Sequence, residues 1–222
     1  MMTSHKHPTL GTPAVIINNA FDQSQCQQII ETYKDKTQGA THISGNNKTV
    51  SSNDMENTPR ISEVAWVHDD GIYKRLWDLM LVANKIGGWE YDVKSQEMIQ
   101  FTKYNPGGKY DWHTDGSLDH LSKREFIFGN NTPNLLQTNF PNLIDTVRKI
   151  SCSVLLNDDF EGGQFKTAYL NSDKVLEIKE QAIPAKQGDM IVFPSCLPHT
   201  VVPVTKGTRY SLVLWFAGPP LK

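Results

Sequence analysis

From Met98 onward the chain breaks into short β-like runs, and that punctuation constrains the fold more than any other feature. Residues 98–104, 149–156, 164–169, 175–178, 190–193, 199–204 and 209–216 are each rich in β-branched, aromatic or aliphatic side chains, and Gly, Pro, Asn or Asp separates them. Short strands in such number close into two packed sheets, because an open sheet of that length leaves edges and an apolar face uncovered. The pattern upstream differs. Residues 14–18 read as one strand. Asp22 caps a helix through Cys26, Ile29, Ile30 and Tyr33. Residues 61–67 read as another strand, followed by a helix carrying Ile72, Leu76, Leu79, Met80, Ala83 and Ile86 on one face and stopped at Gly87 and Gly88.

Helices first and strands after predict a mainly β (α+β) chain. Its core is an antiparallel jelly roll, with the N-terminal helices packed against one sheet. At 222 residues one domain is expected, residues 1–94 supporting a core at about 95–217. Two stretches stand apart. Residues 39–59 are rich in Gly, Asn, Ser and Thr and read as a loop, and residues 118–146 form an insertion longer than an ordinary connection. Substrate choice is expected to reside in these two.

A net charge of -2 supplies no field that would recruit nucleic acid or an anionic membrane, so partners must be argued from a site. Cys26, Cys152 and Cys196 are too few and too far apart for a disulfide framework or a thiolate zinc site. Without an apolar leader or an 18-residue apolar run, the expectation is a soluble cytoplasmic protein.

The chemistry concentrates in two segments. His113 and Asp115 lie two apart, which on a strand places an imidazole and a carboxylate on one face. His199 follows the apolar run 190–193 and supplies a second imidazole. Two imidazoles and one carboxylate leave the opposite coordination positions open, the facial arrangement suited to non-heme Fe(II) and O2. Arg209, ten residues beyond His199 in the next strand, needs an anion if it points inward, and its fork fits a carboxylate. A turn containing Gly207 sets the two strands side by side, at about the separation a five-carbon diacid spans.

Tyr104, Gly107, Tyr110, His113 and Asp115, the run Leu156-Asn-Asp-Asp-Phe-Glu-Gly-Gly163, and the Phe193-Pro-Ser segment leading to His199 and Arg209 occur together in this order. On these motifs the chain resembles the Fe(II)- and 2-oxoglutarate-dependent dioxygenases, particularly the prolyl 4-hydroxylase-like branch with its PKHD-type hydroxylases, over residues 95–217. The resemblance implies a double-stranded β-helix (cupin-like jelly roll). It implies Fe(II) held by His113, Asp115 and His199, and 2-oxoglutarate gripped at its distal carboxylate by Arg209 with a further contact from Tyr104. It also implies O2 as co-substrate, and L-ascorbate stands as a further candidate cofactor. Ser211, two past Arg209 and on its face, is a secondary candidate for the same carboxylate.

The implied reaction hydroxylates an unactivated C–H bond with release of succinate and CO2, most readily on a prolyl residue of a peptide or protein. A nucleobase or small metabolite, and a non-catalytic metal-binding module on the same roll, are the alternatives. Tyr110 and Trp112 flank the motif but stand outside the catalytic set, because aromatics in strands are more often core. Glu161-Gly162-Gly163 reads as a structural turn. His5, His7, His42, His68 and His120 lack a partner at ligand spacing, and Lys123, Arg124, Arg148 and Lys149 read as a solvated basic face.

Overall fold

The computed structural model describes residues 2–7, 11–43, 49–51, 58–116, 146–170 and 178–220. The expected insertion at 118–146 lies almost wholly outside these residues, as does much of the 39–59 loop, together with His120, Lys123 and Arg124. Among the described residues the chain forms β1 (Met2–His7), β2 (Gly11–Ile17), α1 (Gln23–Tyr33), β3 (Gln38–Gly39), β4 (Thr41–Ile43), β5 (Thr49–Ser51), β6 (Arg60–Ile61), β7 (Glu63–Val67) and α2 (Asp70–Ile86). Then come β8 (Ser95–Gln96), β9 (Ile99–Tyr104), β10 (Lys109–His113), β11 (Val147–Leu155), β12 (Glu161–Gly162) and β13 (Phe165–Leu170). The last five are β14 (Ile178–Ala182), β15 (Met190–Pro194), β16 (His199–Val201), β17 (Val204–Lys206) and β18 (Arg209–Gly218).

Two antiparallel sheets build the roll. The larger runs β1-β2-β15-β11-β18-β9-β7-β3, with β8 on the end of β18, and the smaller runs β14-β13-β16-β10-β6. This is the jelly roll that the strand pattern predicts. Both helices begin as the sequence dictates. Asp22 and Gln25 form a reciprocal capping box on α1, and the Asp69 carboxylate accepts from the Ile72 N–H at the start of α2. Gly87 donates back to the Ala83 carbonyl, and Gly88, at φ +68°, ends the helix. Leu76, Met80 and Ala83, spaced four and three apart, are fully buried and pack α2 against β2 and β11. Burial of side chains as large as Leu76 and Met80 stabilises by about 1.5–3 kcal/mol each.

The large sheet is covered on both faces, and alternation sorts its residues. Val15, Ile17, Ile150, Cys152, Val154, Leu212, Leu214 and Phe216 face the helices. Their neighbours face the small sheet, and here the sheet changes character. β2 and β15 contribute Ala14, Ile16, Ile191 and Phe193, an apolar seal. β9, β11 and β18 contribute Gln100, Thr102, Ser151, Ser153, Arg209 and Ser211, all buried and all polar. The interior of the roll is thus apolar at one end and polar at the other.

Two strand boundaries depart from expectation. The 61–67 run divides at Ser62, so that β6 joins the small sheet and β7 the large one. The 199–204 run divides at Val202 and Pro203, where proline has no N–H for the ladder. Of the strand expected at 175–178 only Ile178 lies among the described residues, at the start of β14, which is registered from Ile178 opposite Leu170 to Ala182 opposite Lys166. β14 is an edge strand with exposed Lys179 and Glu180.

Candidate metal centre

His113 ends β10, His199 begins β16, and the two are register partners across the small sheet. Their ring centroids are 4.1 Å apart. Each ring is held by the carbonyl two residues before it: His113 Nδ1 lies 2.8 Å from the Asp111 oxygen, and His199 Nδ1 lies 2.8 Å from that of Leu197. A carbonyl can only accept, so Nδ1 carries the proton and the Nε2 lone pair is presented to the interior.

Asp115 reaches the same point by a different route from the one expected. β10 stops at His113, so strand alternation does not place the carboxylate. Instead Asp115 and Gly116 both donate their backbone N–H to the Ser195 carbonyl, at 2.8 and 3.1 Å, which bends the chain beyond β10 under the histidines. Asp115 Oδ1 then lies 3.8 Å from His113 Nε2, and Oδ2 lies 3.5 Å from His199 Nε2. One ligand atom from each of the three residues falls within 4.8 Å of the other two. Such a set can hold a single ion and would leave its remaining coordination positions to other ligands.

The electrostatics favour the ligating forms. Burial, then the neighbouring His199, lowers the His113 pKa to about 4 against the pull of Asp115. Burial works to raise Asp115, but His199, Arg148, His113 and a hydrogen bond from Ser151 outweigh it and hold the carboxyl below its usual range. At neutral pH His113 is a neutral imidazole and Asp115 a carboxylate, as metal ligands must be.

A register shift between Tyr110 and His113 brings residues three apart onto one face, so Tyr110 stacks on His113 with centroids 3.5 Å apart. Phe193 and Phe165 flank His199 at 4.7 and 5.5 Å. Trp112 lies on the outer face of the sheet and is exposed, and His68 is exposed as well.

Arg209 begins β18 opposite Tyr104. It is 3% exposed, its guanidinium lies 5.5 Å over the Tyr104 ring, and Nη1 donates to Ser211 Oγ at 3.0 Å. Its buried Nε has no partner, and no carboxylate among the described residues pairs with it. A desolvated, uncompensated guanidinium persists where an anion completes it. Gly162 and Gly163 make the positive-φ turn expected of them, at +74° and +63°; a Cβ on Gly163 would lie 3.1 Å from Arg209 Cδ.

Arg148 does not form a solvated face. It pairs with Glu97 through two hydrogen bonds of 2.7 and 2.8 Å, stacks 3.8 Å over the Trp215 ring, and brings Nη1 to 3.9 Å from Asp115. Lys149 is 2% exposed, with Nζ 5.8 Å over the Tyr91 ring. Arg60, which no sequence signal marks, is buried on β6 with its guanidinium 4.9 Å over Tyr110 and a 2.7 Å hydrogen bond to Gln100.

Residues 99–217 match the model of the 2OG-Fe(II) oxygenase superfamily, which spans the two histidines, Asp115 and Arg209. The chain belongs to that superfamily. Among curated proteins it is 32% identical over 118 residues to a PKHD-type hydroxylase of Stenotrophomonas maltophilia, a match covering 52% of this chain and 41% of that protein. It is 41% identical over 78 residues to human prolyl 3-hydroxylase 2, covering 34% of this chain and 10% of that one. The chain thus spans under half the length of these relatives. Among solved structures, a Pseudomonas putida prolyl-4-hydroxylase superposes with a TM-score of 0.57 at 18% identity, covering 92% of this chain and 91% of that one. A Trichoplax adhaerens prolyl hydroxylase in complex with a hypoxia inducible factor peptide fragment gives 0.60 at 20% identity, covering 92% and 83%. These likenesses show the same fold.

Proposed function

We propose that this oxygenase hydroxylates an unactivated C–H bond of a prolyl residue in a peptide or protein, using Fe(II), O2 and 2-oxoglutarate and releasing succinate and CO2. The observation that carries the reading is the pairing of a three-residue cluster able to hold a metal with a buried guanidinium, on the facing sheet, that no carboxylate among the described residues pairs. His113, Asp115 and His199 would hold the metal, and Arg209 would bind the distal carboxylate of the 2-oxo acid. Ser211 keeps the guanidinium fork in one orientation. The Tyr104 ring forms the wall beside it. Iron, when bound there, supplies the activation of O2 that couples decarboxylation of the 2-oxo acid to hydroxylation.

The protein's own contribution is position and exclusion of water. Phe165, Phe193 and Tyr110 surround the histidines with rings that keep bulk solvent from the open side of the cluster. Arg148 and Trp215 form the wall on the Asp115 side. Glu97 neutralises Arg148, so the stacked pair presents a flat, uncharged surface suited to a saturated ring such as that of proline. The Trp215 indole N–H is buried without a partner among the described residues. The prolyl and PKHD names of the relatives support the same substrate class.

The test is a substrate panel of prolyl peptides, free proline, nucleosides and small acids, incubated under 18O2 with Fe(II) and 2-oxoglutarate, with and without L-ascorbate. A prolyl peptide that gains one labelled oxygen atom in step with succinate supports the reading. Labelled product confined to another class, or succinate unresponsive to every prolyl peptide, contradicts the substrate assignment.

A further inference from the structure

The two histidines share one row of the small sheet, and the row has a third member. Thr167 on β13 is the register partner of His199, on the side away from His113. Residues directly opposed in antiparallel strands project from the same face, with Cβ atoms about 4.5–5.5 Å apart. Thr167 therefore faces the interior beside His199, as does Phe165 two residues earlier, whose ring packs on Phe193 at 5.3 Å. The threonine is fully buried at 0% exposure, and its hydroxyl has no hydrogen-bond partner among the described residues.

A buried hydroxyl without a partner carries its full desolvation cost, and valine would fill the same volume without it. The position calls for a partner that the described residues do not provide. Place identifies the partner's chemistry. β13 leaves the turn at Gly163, where the chain touches Arg209, and passes Phe165 before reaching Thr167. Arg209 thus stands at one end of this line, and Thr167 stands at the other with the histidines. A 2-oxo acid chelating a metal at the histidine row would bring an ionised carboxylate to that end, the strongest acceptor on offer to a hydroxyl.

We propose that the Thr167 hydroxyl donates a hydrogen bond to the metal-end carboxylate of the 2-oxo acid, opposite the carboxylate that Arg209 anchors. The inference rests on the cosubstrate reading above and assigns a separate residue to its other end.

The experiment is anaerobic titration of the Fe(II)-loaded protein with 2-oxoglutarate and with pyruvate, which keeps the 2-oxo acid end and lacks the distal carboxylate. Half-saturation of the visible iron–oxo-acid absorption is read in wild type, Thr167→Val, Thr167→Ser and Arg209→Met, and the metal-free proteins are melted in parallel. Thr167→Val is expected to weaken both ligands by a common factor of about tenfold, with Thr167→Ser restoring most of it. Arg209→Met is expected to weaken 2-oxoglutarate alone. Metal-free Thr167→Val is expected to melt about 2–4 °C above wild type, because an unpaired hydroxyl has gone.

Affinities within twofold of wild type, a loss confined to 2-oxoglutarate, or a lower melting midpoint would each overturn the assignment, the last by showing a partner within the protein. Should Thr167→Val not fold, Thr167→Ala and Thr167→Ser carry the same comparison of the two ligands. A wild type that gives no absorption with either ligand removes the cosubstrate reading itself. A wild type that responds beside an unchanged valine variant removes only the role of Thr167.

Discussion

His113 and His199 are suited to hold a metal because each Nδ1 is fixed by the carbonyl two residues before it, which leaves Nε2 of each ring as the nitrogen aimed at Asp115. Arg209 is the converse case, a charge held ready with no carboxylate among the described residues to pair with. Arg209→Met keeps the volume and removes the buried charge. The variant is expected to unfold at a higher urea midpoint than wild type in the metal-free state, while its half-saturation for 2-oxoglutarate rises at least about 100-fold. A lower midpoint would mean that the guanidinium is compensated inside the protein.

The four candidate site residues His113, Asp115, His199 and Arg209 stand out in the sequence because their types make demands that an apolar strand cannot meet. Arg148 is not legible: its carboxylate partner is 51 residues away, and without Glu97 it looks like any surface cation. Thr167 is silent for the same reason, since its meaning is a cross-strand register with His199.

At the scale of elements, closely approached turns and edge pairings set how firmly the sheets hold the site. Gly188, at φ +83°, lies between β14 and β15, and a Cβ there would come 2.1 Å from the Phe21 carbonyl, where the Phe21 N–H donates to the Gly188 carbonyl. Gly188→Ala is expected to cost at least about 2 kcal/mol in chemical denaturation, from backbone strain together with the close contact. Alanine tolerated within a few tenths of that scale would show that the turn gives way freely.

Glu63 ties the end of the large sheet together, accepting from Thr37 at 2.6 Å, Asn105 at 2.6 Å and Lys103 at 3.1 Å. Burial acts to raise its pKa, but Thr37, Lys103 and Asn105 outweigh burial and the folded value is lowered. A depressed carboxyl contributes stability above its unfolded pKa of about 4.3 and loses it as pH falls through the folded value. Wild type should therefore exceed Glu63→Gln in urea midpoint near neutrality, and the gap should close on acidification below about pH 4. A gap that stays constant with pH would remove the carboxylate from the account.

Element type and order are readable because hydrophobic period and caps are local. The boundaries are not: the breaks at Ser62 and at Pro203 mark where a chain passes between pairing partners, and the partner of each strand lies far away in sequence.

Over the whole molecule, the two sheets divide the work. The small sheet and the bend beyond it bring the three candidate ligands together, and the facing strand β18 of the large sheet carries Arg209. Alternation of inward and outward residues along both sheets gives the roll a polar interior at the ligand end and an apolar seal elsewhere. No described helix is long and apolar enough to cross a membrane. The roll itself was legible from the density of short strands, and the composition of its interior was not, because the inner face of a strand is known only once its register is fixed.

The most direct test is anaerobic addition of Fe(II) and 2-oxoglutarate to wild type and to His113→Ala, followed through the visible charge-transfer absorption of an iron-chelated 2-oxo acid. A band in wild type that needs both components, and is absent in His113→Ala, is the result expected of this site. No band in folded wild type, or an equal band in the variant, would contradict it.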